Sequence, residues 1–381
     1  MSDVDTILAG ASTLNEDLAS LGHARVKVLG LGGGGSNAVN RMIELGLTGV
    51  EFIAANTDAQ ALQGSLAPVR LQLGLRVTRG LGAGGDPKIG AAAAMESSRE
   101  IARALAGADM VFITCGMGGG TGTGAAAVAA EIAREVGAVV IAIVTMPFAF
   151  EMSRRSRNAV EGVRQLQPHA HTLITVPNDR LLQVVPRELS LEVAFRLADD
   201  VLRQGVQGIA ELITQAGLVN VDFAHVRELM LLGGGALMSI GLGEGHKMAR
   251  TAIRQALHHP LVGIDSLEQA SGVLLHFTGG DDLTLFEIAE AVEELRESLS
   301  PEADIVFGAT TEKAMTGRTQ VILIVTGIGG RPVPAAAEAA ETTDNGELAA
   351  VLHASSQADQ NLDLPAFLRR RVVLGAPGGS G

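Results

Sequence analysis

The residues with the plainest chemistry are Gly116-Met117-Gly118-Gly119-Gly120-Thr121-Gly122-Thr123-Gly124. Six of these nine are glycine, between an apolar run (110–115) and a small-residue run (125–133), so the stretch reads as strand, glycine loop, helix. Without Cβ atoms the backbone bends freely and a ligand can approach it. The N–H groups of the loop and of the first helical turn converge on one spot, with the positive end of the helix dipole behind them. Thr121 and Thr123 add hydroxyl donors. Such a spot suits a phosphate; the plainer alternative is a tight strand-to-helix turn. No Lys-Ser/Thr pair follows Gly124, so this is not a Walker A loop.

Two further glycine clusters share this pattern. Gly30-Leu31-Gly32-Gly33-Gly34-Gly35-Ser36-Asn37 follows a strand at 24–29 and precedes a helix at 38–45. Its Gly30-x-Gly32-x-x-Gly35 spacing fits the dinucleotide fingerprint, and Asp58 in the turn Asn56-Thr57-Asp58 stands where a ribose-binding carboxylate belongs. A nicotinamide-dependent oxidoreductase is therefore a rival reading, although Asp is also a common turn and cap residue. Gly80-Leu81-Gly82-Ala83-Gly84-Gly85-Asp86-Pro87 precedes a helix at 88–105. One pyrophosphate needs one such loop; three on one rim suggest a triphosphate wrapped on several sides.

Strands at 24–29, 50–55, 110–115, 139–144 and 172–176 alternate with helices, which predicts a doubly wound, mostly parallel α/β sheet. Ligands bind such sheets at the carboxyl ends of the strands. The loops at 30–37, 56–58, 82–86, 116–124, 147–155 and 178–179 should share that rim. Ser190 is a suitable N-cap for a long helix over Leu191–Thr214, roughly 36 Å at the usual rise. Phe195 and Asp199 share one of its faces. There Phe195 could stack on a base, and Asp199 could accept from a guanine's N1–H and N2–H; the alternative is a core Phe and a solvated Asp. A polar stretch, Asn220-Val221-Asp222-Phe223-Ala224-His225, enters another helix, and a smaller α/β unit follows. Its strands are expected at 236–240, 271–278, 304–309 and 319–326, with a helix at 285–299.

Composition bounds the possibilities. The chain has 381 residues, a formal charge of −13, no Trp or Tyr and ten Phe. It therefore lacks the basic face and aromatic platforms of a protein whose main partner is nucleic acid. The single cysteine, Cys115, ends an apolar strand, which favours packing over a reactive thiol and fits a reducing compartment. No apolar run reaches the length of a membrane span, and the acidic N-terminus is unlike a signal peptide. A cytoplasmic protein is expected. His258 and His259 have no neighbours in sequence to complete a metal site. The expected domains are an extension (1–24), a nucleotide-binding unit (25–190), the connecting helix (191–215), a C-terminal unit (216–328), a disordered linker (329–361) and a terminal peptide (362–381). That peptide, Leu362-Asp363-Leu364-Pro365-Ala366-Phe367-Leu368-Arg369-Arg370-Arg371, bunches apolar and basic residues on a tether, as docking peptides do.

Together these motifs carry a resemblance. Gly116 to Gly124, the four-glycine first loop, Asn56-Thr57-Asp58, Gly82-Ala83-Gly84, Pro147-Phe148-Ala149-Phe150-Glu151, Pro177-Asn178-Asp179 and Asn220-Val221-Asp222-Phe223-Ala224 resemble, in order, the FtsZ family of tubulin-like GTPases. The resemblance spans about 25–330 and returns at 363–371. It implies GTP or GDP, with Mg²⁺ held mainly by the phosphates. Gly33, Gly34, Gly35, Ser36 and Asn37 would take the nucleotide, and Gly120, Thr121 and Gly122 the phosphates, with Gly116, Gly119, Thr123, Asn56, Asp58 and Gly84 also counted among the nucleotide-binding residues. Glu151 would hold the ribose beside Arg155; Asn37, Asn178, Phe195 and Asp199 would hold the guanine. It further implies head-to-tail protofilaments in which Asn220, Asp222 and the residue one turn on complete the site of the next subunit. These would form a ring at the bacterial division site on the inner face of the membrane. Asp363, Leu364, Pro365, Phe367, Leu368, Arg369 and Arg370 would dock to membrane-tethered division proteins.

One position departs from the family. Three residues after Asp222 it usually carries a second acid; here it is His225. Three consequences are open: slower hydrolysis, hydrolysis with His225 as a neutral base that fails below about pH 6.5, or Asp222 sufficing alone. A GTP-binding scaffold that polymerises with little hydrolysis therefore stands beside the GTPase reading.

Overall fold

The buried apolar run Val26–Leu31 forms β1, and helix α1 (Gly32–Glu44) follows it with no intervening loop. The glycines expected to form a loop over 30–37 are thus the first turn of the helix. They permit this because Gly32 takes φ +67°, turning the chain from strand into helix in one residue. The chain continues through β2 (Val50–Asn56), α2 (Ala59–Gln63), β3 (Val69–Gln72), α3 (Leu75–Thr78), α4 (Pro87–Glu96), α5 (Ser98–Leu105), β4 (Met110–Gly116) and α6 (Thr121–Glu135). Then come β5 (Val139–Met146), the 3-10 turn Ala149–Glu151, α7 (Ser153–Leu166), β6 (Thr172–Pro177), α8 (Asn178–Leu181) and the central helix α9 (Leu191–Thr214). The remainder is α10 (Phe223–Leu231), β7 (Gly235–Glu244), α11 (Met248–Leu257), β8 (Gly272–Gly279), α12 (Leu285–Arg296), β9 (Asp304–Thr311), the 3-10 turn Lys313–Met315 and β10 (Arg318–Ile328).

This computed structural model describes residues 24–328, apart from 184–189, 216, 260, 262–266 and 268. Apart from Ala24, the expected extension at 1–24 lies outside the described residues, as do the linker at 329–361 and the peptide at 362–381 with Asp363, Leu364, Pro365, Phe367, Leu368, Arg369 and Arg370.

All ten described strands join one sheet in the order β3-β2-β1-β4-β5-β6-β7-β10-β8-β9. Pairing is parallel from β3 to β7, antiparallel on both sides of β10, and parallel between β8 and β9. The order reverses between β1 and β4, which in an open parallel sheet is where a crevice opens at the strand ends. Leu31 pairs with both Ala55 and Cys115, and Gly116 with Thr145, so these strands end level and present their loops side by side. β6 and β7 pair at only two positions, Leu173↔Gly235 and Ile174↔Ala236.

Side chains alternate between two faces, as the pleat requires. Val28, Phe112 and Ile141 pack under α1 and the central helix, in a cluster that continues to Met238, Leu274 and Ile322. Leu29, Ile113 and Val140 pack under the helices of the opposite face. The central helix spans both halves of the sheet: Gly205 lies against Met238 and Ile143, and Gly208 against Ile322. β7 is longer than the strand expected at 236–240, because Gly241 and Gly243 are strand residues and not turns. A Cβ at either would stand 1.9 Å from a carbonyl of α11, so glycine lets that helix lie directly on the strand.

Candidate nucleotide-binding cleft

The level ends of β1, β4 and β5 floor a cleft of about 610 Å³. Two helix N-termini, those of α1 and α6, open onto it, so two dipoles present their positive ends there. The phosphate-type loop is fixed from within: Gly118 N–H donates to Thr123 Oγ1 at 2.8 Å. Gly118 also takes φ +99° and lies so close to Arg155 that a Cβ would stand 2.8 Å from its carbonyl oxygen, so only glycine suits that position. Asn158 Nδ2 spans the gap between Gly85 and Gly118, donating to each carbonyl at 3.4 Å.

The other end of the cleft has different chemistry. Glu151 accepts from Phe148 N–H at 2.9 Å and pairs with Arg155, so both carboxylate oxygens are oriented. Phe148 lies 5.0 Å from Phe150, stacked, and 5.5 Å from Phe195, edge-on, which holds Phe195 at the rim. Asp199 is half-buried, and that burial pushes its carboxyl up to about 7. Asn178 lines the same end; its Oδ1 is buried with no hydrogen-bond partner. An acceptor in that position suits a ligand that brings a donor.

Of the residues singled out in the sequence, the cleft gathers Gly33, Gly34, Asn37, Gly116, Gly119, Gly120, Thr121, Gly122, Glu151, Arg155, Asn178, Phe195 and Asp199. Six others do not line it. Gly35 is pressed onto the Thr114 carbonyl, where a Cβ would stand 2.3 Å away, and Ser36 is buried beneath the helix. Asn56 accepts from Asp58 N–H, and Asp58 caps α2 by accepting from Gln60 and Ala61 N–H at 2.9 and 3.1 Å. Gly84 serves the turn at φ +57°, leaving Gly85 at the lining. Thr123 is 2% exposed and spends its hydroxyl on Gly118. Arg154 and Asn158 line the cleft without having been singled out. Asn158 stands four residues after Arg154, so helical spacing from Arg154 and Arg155 was the available signal. Cys115 is wholly buried and its thiol is pushed up to about 12, so it packs and does not react.

Asn220, Asp222 and His225 lie elsewhere, around a second cleft of about 590 Å³ that Glu228 and residues 304–307 of β9 also line. Asn220 Oδ1 accepts from Gly217 N–H at 2.7 Å, and Val219 exchanges two backbone hydrogen bonds with Ala309. Asp222 caps α10 by accepting from Ala224 N–H at 3.0 Å. The loop is thus built before any partner arrives, with Asp222 and His225 exposed on it. From Asp199 to Thr214 the central helix runs roughly 22 Å, and the two clefts sit at its two ends.

Residues 25–186 match the Tubulin/FtsZ family, GTPase domain, and residues 234–329 match the FtsZ family, C-terminal domain. Among solved structures, a mutant FtsZ from M. jannaschii is 44% identical, with a TM-score of 0.79 over 84% of this chain and 96% of that one. An empty FtsZ dimer from the same organism is 40% identical at TM-score 0.79, covering 90% of this chain and 100% of that one. CetZ1 from Haloferax volcanii shares the fold at 20% identity and TM-score 0.68, over 81% of this chain and 96% of that one. Two domain matches on either side of the central helix, and relatives matched over nearly their whole length, place this chain in the Tubulin/FtsZ family, with the GTPase domain and the FtsZ-type C-terminal domain.

Proposed function

We propose that this chain binds and hydrolyses GTP and polymerises head to tail, each junction joining the glycine cleft of one subunit to the Asp222 loop of the next. One observation carries the reading: the two clefts lie at opposite ends of the central helix, so Asp222 cannot reach the cleft of its own subunit. The M. jannaschii FtsZ dimer supports self-association. The helix N-termini suit the phosphates, Glu151 and Arg155 the ribose, and Asn37, Asn178, Phe195 and Asp199 the guanine. Mg²⁺ would ride mainly on the phosphates and offset their charge. The carboxylate that the dinucleotide alternative needs, Asp58, caps α2 and does not line the cleft.

Asn220 holds the loop in shape, Asp222 polarises the attacking water, and His225 stands one helical turn on, in place of a second carboxylate. Among the described residues no helix is long and apolar enough to cross a membrane. Attachment to the membrane at the division site would then fall to the terminal peptide at 362–381 and its membrane-tethered partners. Phosphate release and light scattering with GTP and Mg²⁺ test the reading. Asp222→Ala should abolish turnover while GTP binding persists, and His225→Asp should raise turnover several-fold. If His225→Asp does not raise it, the histidine does not limit the rate.

A further inference from the structure

The turn Asn56-Thr57-Asp58 spends its two outer side chains on itself: Asn56 accepts from Asp58 N–H, and Asp58 caps α2. Its middle residue does something else. Thr57 is wholly buried, and its Oγ1 lies 2.6 Å from Oγ1 of Thr121, which lines the glycine cleft. The two residues are 64 apart in sequence, one in the turn after β2 and the other opening α6. Thr57 is held firmly: its carbonyl accepts from Gln72 Nε2 at 2.9 Å, Gly82 N–H at 3.2 Å and Thr78 Oγ1 at 3.3 Å.

Only one proton can lie between two hydroxyl oxygens. If Thr121 donates to Thr57, it has none left for a ligand. If Thr57 donates, the Thr121 proton is free to point into the cleft, and an anion there favours that order. Each bond then polarises the next. We propose that Thr57 is a positioning residue for phosphate binding: its hydroxyl donates to Thr121 and so directs the Thr121 proton into the cleft, toward a phosphate oxygen of the bound nucleotide. This rests on the nucleotide reading above and adds a residue that touches no ligand.

The test measures affinity for GDP and for guanosine, which lacks the phosphates, in the full chain. Thr57→Val keeps the branched shape and removes the hydroxyl; Thr57→Ser keeps the hydroxyl. Thr57→Val leaves Thr121 its own proton but neither orients nor polarises it, so the substitution should weaken GDP about fivefold, the net value of one neutral hydrogen bond. It should leave guanosine within about twofold, and Thr57→Ser should hold GDP within about twofold. Thr57→Ala repeats the measurement should the valine variant not fold. Equal weakening of GDP and guanosine would show a merely structural role and overturn the proposal. So would unchanged GDP affinity in Thr57→Val, or a loss in Thr57→Ser as large as in Thr57→Val. In the double-mutant cycle with Thr121→Val, the two losses should not add; full additivity would also overturn it. If the unsubstituted chain does not bind GDP, the nucleotide reading fails, which is a different result from GDP binding that Thr57→Val leaves untouched.

Discussion

Asp199 links burial to specificity. Its carboxyl is pushed up to about 7 by desolvation, so near neutral pH it is often protonated. A guanine brings N1–H and N2–H, and these favour the ionised form. Binding should therefore release a proton, and GDP affinity should rise as pH climbs from about 6 to about 8, by up to tenfold per unit below the carboxyl's own pKa. The phosphate of GDP titrates near the lower end of that range. The clean measurement is thus the difference between the unsubstituted chain and Asp199→Asn, which should lose the carboxyl's share of the slope along with affinity. An equal slope in both would mean that Asp199 does not meet the guanine edge. The residue types and their spacing made Phe195 and Asp199 legible as a pair, because four residues on a helix fix a shared face. The burial that sets the acidity of Asp199 is tertiary and is not written in that spacing.

The central helix was legible for local reasons: Ser190 accepts from Val193 N–H, and Ala194, Ala198, Val201, Ile209 and Leu212 recur at helical spacing and are buried. Elsewhere long-range contacts override the local pattern. The run at 88–105 reads as one helix but breaks at Ser97, whose Oγ accepts from Gly74 N–H at 3.0 Å, 23 residues away. β3 is only Val69–Gln72, too short to show an alternation, and exists because β2 offers it an edge. The polar face of the central helix is a further case. Arg203 pairs with Asp200 and bonds Gln207, and Gln207 donates to Glu211 at 2.6 Å. In the fold Glu211 is 9% exposed and faces His276 of β8, which is 1% exposed. His276 Nε2 lies 3.0 Å from Thr310 Oγ1, and burial pushes its pKa down to about 4. The native imidazole is therefore neutral where the unfolded one, near 6.5, takes up a proton. The unfolded state binds more protons at this histidine between those values, so its contribution to stability should be full above about pH 6.5 and fall as pH drops toward about 4. His276→Gln should flatten that fall, read as urea midpoints at pH 5 and pH 7. The slope that remains is set by His171, pushed down to about 4 by burial and then by Arg134 and Arg227, which acts in the same sense, against Asp199 and Glu211, whose carboxyls burial pushes up and which act in the opposite one.

At the scale of the whole molecule, the central helix separates two clefts. On the reading proposed above, the glycine cleft takes the nucleotide and turns its two lining carboxylates, Glu151 and Asp199, to ribose and guanine, while the Asp222 loop brings the carboxylate that polarises water. A head-to-tail contact between two such different patches leaves one of each free at the ends, so it propagates as a filament wherever its rotation does not close a ring. Mixing variants tests this directly. Asp199→Ala should weaken the cleft but leave the loop intact; Asp222→Ala should do the reverse. Each alone should turn over little GTP. In a random 1:1 copolymer, the junctions that pair an intact cleft with an intact loop are half of one half, so turnover should recover to about a quarter of the unsubstituted rate. Sedimentation of both variants in the same pellet checks that they mix. Recovery requires that the working site be shared between subunits, because neither variant contains both halves. If the copolymer forms and turnover stays at the level of the single variants, the cleft does not use a neighbour's Asp222. The 22 Å of helix between the halves would then have to be crossed within one chain.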